Sequence, residues 1–137
     1  MERTTNILVV DDDDLCIANV RRAFAKGNIT NPLFHAEDGV HGLEMLRDGT
    51  VPEGRRLVLL DLHMPRMDGL TFLRQLRADP KLQGVPVVML TTSNEQLDRT
   101  AAWGFNVAGY LIKPVLGAAF IELMKTLSSY WALMEMA

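Results

Sequence analysis

The sequence predicts a doubly wound α/β fold: a five-stranded parallel sheet with helices on both faces. Three observations lead there. Short apolar runs alternate with helically spaced runs, strand then helix, five times along the chain. The strong strand runs, at 7–10, 57–60 and 85–90, are apolar on both sides, as strands buried on both faces are. Polar residues able to carry chemistry stand at the carboxyl end of one strand after another, at Asp11, Asp12, Asp61, Thr91, Thr92 and Lys113.

The elements follow in order. Ile7-Leu8-Val9-Val10 is the first strand, closed by acids. A helix is predicted over 15–26, with Leu15, Ala18, Ala23 and Phe24 at helical spacing and Gly27-Asn28 as its stop. A weaker strand spans 32–36 and a helix 39–46, the latter with Val40, Leu43 and Leu46 on one side. The second strong strand, 57–60, ends at Asp61 after a polar loop over 49–56. Asp68 begins the next helix, which carries Leu70, Phe72, Leu73 and Leu76 and stops near Pro80. Then come the strand at 85–90, a short helix at 95–103, a strand at 108–112 halted by Lys113-Pro114, and a helix from Leu116 onward. Connections of this kind are short and right-handed.

Size and charge narrow the function. A chain of 137 residues is expected to form one domain, with a core large enough to need no disulfide or metal staple. The single cysteine, Cys16, forms no internal disulfide, which fits a reducing cytoplasm. The start of the chain lacks the long apolar stretch of a signal peptide. No run approaches the ~20 apolar residues of a membrane helix. A net charge of −3 argues against an intrinsic nucleic-acid binder. Neither nucleic acid nor membrane is therefore expected as a partner.

In an open α/β sheet the ligand crevice lies at the carboxyl ends of the strands, where the strand order reverses. Asp11, Asp12, Asp61, Thr91 and Lys113 are all expected at that edge. Clustered carboxylates repel one another. Either Lys113 or a hard divalent cation would offset this, and Mg2+ suits one or two carboxylates plus a phosphate. Asp61 would then be the nucleophile, forming an acyl phosphate. Each piece also has an ordinary structural reading. Asp13 and Asp14 read as helix-capping acids, and Asp68 as the cap of the third helix. Asp61 could be a loop acid and Lys113 a solvated lysine. His35 and His41 lack metal-ligand spacing and need no function. Cys16 reads as a small core residue.

Four segments carry a resemblance: Ile7-Leu8-Val9-Val10-Asp11-Asp12, Leu60-Asp61-Leu62-His63-Met64-Pro65-Arg66-Met67-Asp68-Gly69, Met89-Leu90-Thr91-Thr92, and Gly109-Tyr110-Leu111-Ile112-Lys113-Pro114-Val115. Together they resemble the receiver domains of bacterial response regulators, over essentially the whole chain to about Leu127. The resemblance implies a flavodoxin-like sheet of order 2-1-3-4-5 and a single receiver domain over 1–137. It implies that Asp61 accepts a phosphoryl group from a phosphohistidine on a sensor histidine kinase or histidine phosphotransfer protein. Asp12 would bind Mg2+ directly, Asp11 largely through water, and the His63 backbone carbonyl would add a ligand. Thr91 would move to bond the phosphoryl group, Tyr110 would turn inward behind it, and Lys113 would pair with it. The readout would be the face made by the fourth helix, fifth strand and fifth helix. The resemblance also makes a cis Lys113-Pro114 bond worth checking. Without that context, Tyr110 reads as a half-buried strand aromatic.

Some positions depart from the usual pattern. Thr92 stands where the family often has alanine. His63 and Ser93 occupy positions that tune phosphoryl lifetime in the family; either His63 affects water access to the acyl phosphate or it is a solvated side chain without kinetic effect. Phe120, Leu123, Met124, Leu127, Tyr130, Trp131 and Met134 extend an apolar stripe past the expected end of a receiver, giving an extended helix over about 116–135. That stripe either packs onto the domain's own sheet or forms a homodimer or partner surface, the second being favoured. Similar tails occur in single-domain receivers that act beside phytochrome-type and hybrid kinases. Since a receiver fills the chain, output by protein contact or onward phosphotransfer is expected.

Three other functions compete. A phosphatase on a similar sheet would carry an acid two residues after the nucleophile, where His63 stands. A flavin carrier would need a Ser/Thr/Gly-rich loop after the first strand, where four aspartates stand. A receiver degenerated to a docking module would not retain Asp11, Asp12, Asp61, Thr91 and Lys113 together.

Overall fold

A computed structural model of the chain describes residues 5–28, 30–61, 67–91, 109–112 and Glu122, with Thr91 and 109–112 described as backbone. The element order is β1 (Asn6–Val10), α1 (Asp14–Lys26), β2 (Leu33–Ala36), α2 (Gly39–Arg47), β3 (Arg56–Asp61), α3 (Gly69–Ala78), β4 (Val87–Thr91) and β5 (Gly109–Ile112). All five strands pair in parallel, in the order β2-β1-β3-β4-β5. This is the expected doubly wound sheet. The predicted fourth helix and most of the C-terminal helix lie outside the described residues; Glu122 is helical and exposed.

Strand periodicity divides the core in two. Leu8, Val10, Val58, Leu60, Val87 and Met89 point to the face covered by α2 and α3, where Leu43, Leu46, Phe72, Leu73 and Leu76 meet them. Ile7, Val9, Leu57, Leu59, Val88 and Leu90 point to the other face, against Ile17, Val20, Ala23 and Phe24 of α1. Successive strand residues are thus buried on opposite faces, which is why these runs read as continuously apolar. Cys16 is one of the buried α1 residues, as its sequence context suggested.

Each described helix starts on an aspartate. The Leu15 N–H donates to Asp13 Oδ1 at 2.9 Å, and the Thr71 N–H to Asp68 Oδ1 at 2.8 Å. Asp13 and Asp68 therefore cap α1 and α3, as the sequence indicates. The sequence reading missed a third cap, Asp38, which accepts from the His41 N–H at 2.8 Å at the start of α2. After α2, Gly49 takes φ +84, a left-handed conformation that glycine adopts without a Cβ penalty.

The start of β4 and the burial of the 49–56 segment differ from expectation for physical reasons. β4 begins at Val87 because the Val85 N–H closes a turn onto Leu82 O and Pro86 has no N–H. Pro86 O nevertheless accepts from the Val58 N–H at 3.0 Å, so the ladder starts from that carbonyl. The 49–56 segment is also less polar in structure than in sequence. Val51 is fully buried, and Arg56 lies buried with its Nη2 donating to Leu46 O and Val51 O at 3.0 and 2.6 Å. Desolvation lowers the pKa of that guanidinium below its ordinary value.

Phe72 is fully buried and lies against the approach of Gly42 and Val10. Phe72→Ala is expected to lower the unfolding free energy by about 3–5 kcal/mol, whereas Asp38→Ala should remove about 1 kcal/mol through the lost cap. Urea unfolding followed by circular dichroism checks both; equal losses would contradict this assignment of core and cap.

Candidate functional site: an acidic crevice at the sheet's carboxyl edge

The parallel register builds the site. Val10 of β1 is level with Leu60 of β3, so the next residues, Asp11 and Asp61, leave neighbouring strands side by side. β1 continues into α1 on one face and β3 toward α3 on the other, which opens the crevice between them. Asp12 follows Asp11 into it. One carboxylate oxygen each from Asp11, Asp12 and Asp61 lies within 4.8 Å of the others. Asp11 and Asp61 are buried and Asp12 is exposed.

Backbone geometry fixes this turn before any ligand is considered. The Asp13 N–H donates to Asp11 Oδ1 at 2.9 Å, while Asp13's own carboxylate caps α1. The four consecutive aspartates therefore divide their work. Asp13 and Asp14 serve the helix N-terminus, and Asp11 and Asp12 face the crevice.

The remaining predicted residues stand as follows. Thr91 ends β4 one residue beyond Leu90, and Leu90 pairs with Asp61, so the Thr91 backbone reaches the same edge. Tyr110 lies on β5 opposite Met89, one rung below the Leu90–Leu111 pair. His63, Thr92, Ser93, Lys113 and the Lys113-Pro114 bond lie outside the described residues, as does the apolar tail after Glu122. A cavity of about 690 Å³ occurs at the opposite end of the sheet, lined in part by Arg47, Glu53, Arg56, Asp79 and Lys81. It is remote from the three carboxylates.

The donor set selects its ligand by charge and hardness. Among the described residues, three carboxylates present oxygen ligands at close range, which suits a hard divalent cation. Such a cation leaves coordination positions for water and for a phosphate oxygen. The residues present therefore fit Mg2+, with Asp11, Asp12 and Asp61 as the groups that would hold it.

The profile of the response regulator receiver domain matches residues 7–125. The chain belongs to this family. It is 34% identical over 127 residues to the probable methanogenesis regulatory protein FilR2 of Methanothrix harundinacea, covering 91% of this chain and 82% of that one. It is 30% identical over 128 residues to the response regulator Rcp1 of Synechocystis, covering 91% and 87%. The solved Mn2+-bound form of Rcp1 superposes with a TM-score of 0.74 at 29% identity, over 94% of each chain. The bacteriophytochrome response regulator AtBRR superposes with a TM-score of 0.76 at 30% identity, over 93% and 92%. Receiver domains bind Mg2+ through an acidic pocket and work with sensor histidine kinases. The cluster of Asp11, Asp12 and Asp61 is consistent with such a pocket. Among the described residues, no helix is long and apolar enough to cross a membrane.

Like charges this close repel by about 1 kcal/mol per pair in water at 4 Å. For Asp12, two such pairs act against the favourable field of the α1 N-terminus, about 0.3–1 kcal/mol. Asp12→Asn is therefore expected to stabilise the metal-free protein by about 1 kcal/mol at low salt. Thermal unfolding in EDTA checks this, with the gain shrinking as salt is added. A loss of stability would show that the Asp12 charge is already balanced in the free protein.

Proposed function

We propose that this chain is a phosphoacceptor switch of a two-component phosphorelay, with Asp61 as the phosphoacceptor. The observation that carries the reading is the convergence of Asp11, Asp12 and Asp61 at the carboxyl ends of adjacent parallel strands. A carboxylate oxygen of Asp61 attacks the phosphorus of a phosphohistidine on a sensor kinase or phosphotransfer protein. The new O–P bond forms as the N–P bond breaks, and the imidazole leaves with the bonding pair. The product is an acyl phosphate. Water attack at phosphorus later returns the Asp61 carboxylate and inorganic phosphate. Asp11, Asp12, Asp61 and the His63 carbonyl would hold Mg2+, which when bound would supply positive charge beside the transferring group. Lys113 pairs with the phosphoryl group.

Output rests on differential stabilisation. A phosphoryl group adds nearly two negative charges and three acceptor oxygens. Thr91 gains a hydrogen-bond partner in the phosphorylated state, and its movement makes room for Tyr110. The altered surface is the one around β5 and the helices that flank it in sequence, and its readers are proteins. The protein is cytoplasmic and acts as a homodimer through its C-terminal face. Support for the last point comes from the apolar spacing of Phe120, Leu123, Leu127, Tyr130, Trp131 and Met134. Its catalysis is confined to its own phosphorylation and dephosphorylation.

Incubation with Mg2+ and acetyl phosphate, followed by intact mass, tests the phosphoacceptor reading. Wild-type protein is expected to gain one phosphoryl group and Asp61→Asn none. No gain with acetyl phosphate or a phosphorylated histidine donor would leave docking as the function. Truncation after Ser129 is expected to convert a dimer to a monomer by light scattering. A dimeric truncation would exclude the tail as the interface.

A further inference from the structure

The sequence assigns His35 no function, yet His35 Nε2 lies 2.7 Å from the backbone carbonyl of Asp11. A carbonyl oxygen only accepts, so Nε2 carries the hydrogen and donates it. His35 is level with Val9 in the β1–β2 ladder, and its partly buried side chain therefore runs along the strands to reach two residues further. Its neighbour Ala36 holds the other side of the same residue: Ala36 O accepts from the Asp11 N–H at 3.1 Å. The last two residues of β2 thus grip Asp11 through both its N–H and its C=O. The second grip comes from a side chain.

The gripped carbonyl belongs to the peptide that joins Asp11 to Asp12. Its orientation sets the direction in which the backbone enters Asp12, the exposed member of the carboxylate cluster. Asp11's own carboxylate is held by the Asp13 N–H at 2.9 Å. Between the end of β1 and the cap of α1, the His35 side chain thus holds the linking peptide. Preorganised ligands bind a cation more tightly because less ordering is left to be done on binding. Groups that orient ligands from outside the coordination sphere typically change metal affinity by 10–100-fold.

We propose that His35 is a positioning residue for the divalent-cation site: its Nε2–H bond holds the Asp11–Asp12 peptide in the orientation that lets both carboxylates meet one ion. The inference rests on the phosphoacceptor reading above and assigns a residue beyond its ligand set.

Mg2+ titration of the full-length protein, read by calorimetry and by the shift in thermal midpoint, tests it. His35→Leu and His35→Val are both strand-compatible and lack the donor. Each is expected to raise the Mg2+ dissociation constant about tenfold. His35→Gln places an amide N–H at similar reach and should restore affinity to within about threefold of wild type. A merely structural role would lower the thermal midpoint in EDTA without this pattern of loss and rescue. Wild-type affinity in His35→Leu or His35→Val, or a His35→Gln protein no better than either, overturns the inference while leaving the phosphoacceptor reading intact. Wild-type protein that takes up no Mg2+ overturns that reading, and the inference with it.

Discussion

Asp11, directly after β1, and Asp61, the last residue of the neighbouring β3, bring their carboxylates together, and much of the rest of this structure answers that crowding. The register that pairs Val10 with Leu60 is fixed by side chains buried on both faces of β1 and β3. A slip by one residue would exchange the two faces of each strand and disrupt both cores. The apolar layers therefore enforce the proximity of Asp11 and Asp61, and hydrophobic burial supplies the free energy that holds like charges close. Asp12 adds a third charge where the chain turns into α1. A site built in this way favours a cation.

The surrounding local structure spreads the backbone's demands away from the crevice. Asp13 takes the helix cap, so Asp11 and Asp12 are not required for it. Asp68 does the same for α3 downstream of Asp61. β2, the edge strand, grips Asp11 from the side opposite β3. The carboxylate cluster is thus framed by two helices that carry their own capping aspartates.

Much of this was legible in the sequence because its signals are local. A run such as Leu57-Val58-Leu59-Leu60 announces a strand buried on both faces, and an acid directly after it announces a functional edge. The division of Asp11 through Asp14 into crevice and cap also followed from their place between strand and helix. What escaped depended on contacts across the chain. The buried state of Val51 and Arg56 arises from packing against the end of α2, and nothing in the polar 49–56 run shows it. The bond from His35 to Asp11 exists through the β1–β2 register, which a lone histidine on a weak strand does not reveal. Asp38 is a different case. An aspartate just before a helical run is a recognisable cap, and that signal was present in the sequence.

The carboxylates of Asp11, Asp12 and Asp61 are proposed to form one divalent-cation site. A crystal structure grown with Mn2+, with the ion located by its anomalous scattering, tests this most directly. A single strong peak is expected in the crevice, within about 2.0–2.3 Å of carboxylate oxygens from Asp12 and Asp61, with Asp11 in contact directly or through water. An empty crevice, with Mn2+ bound elsewhere on the protein, would contradict it.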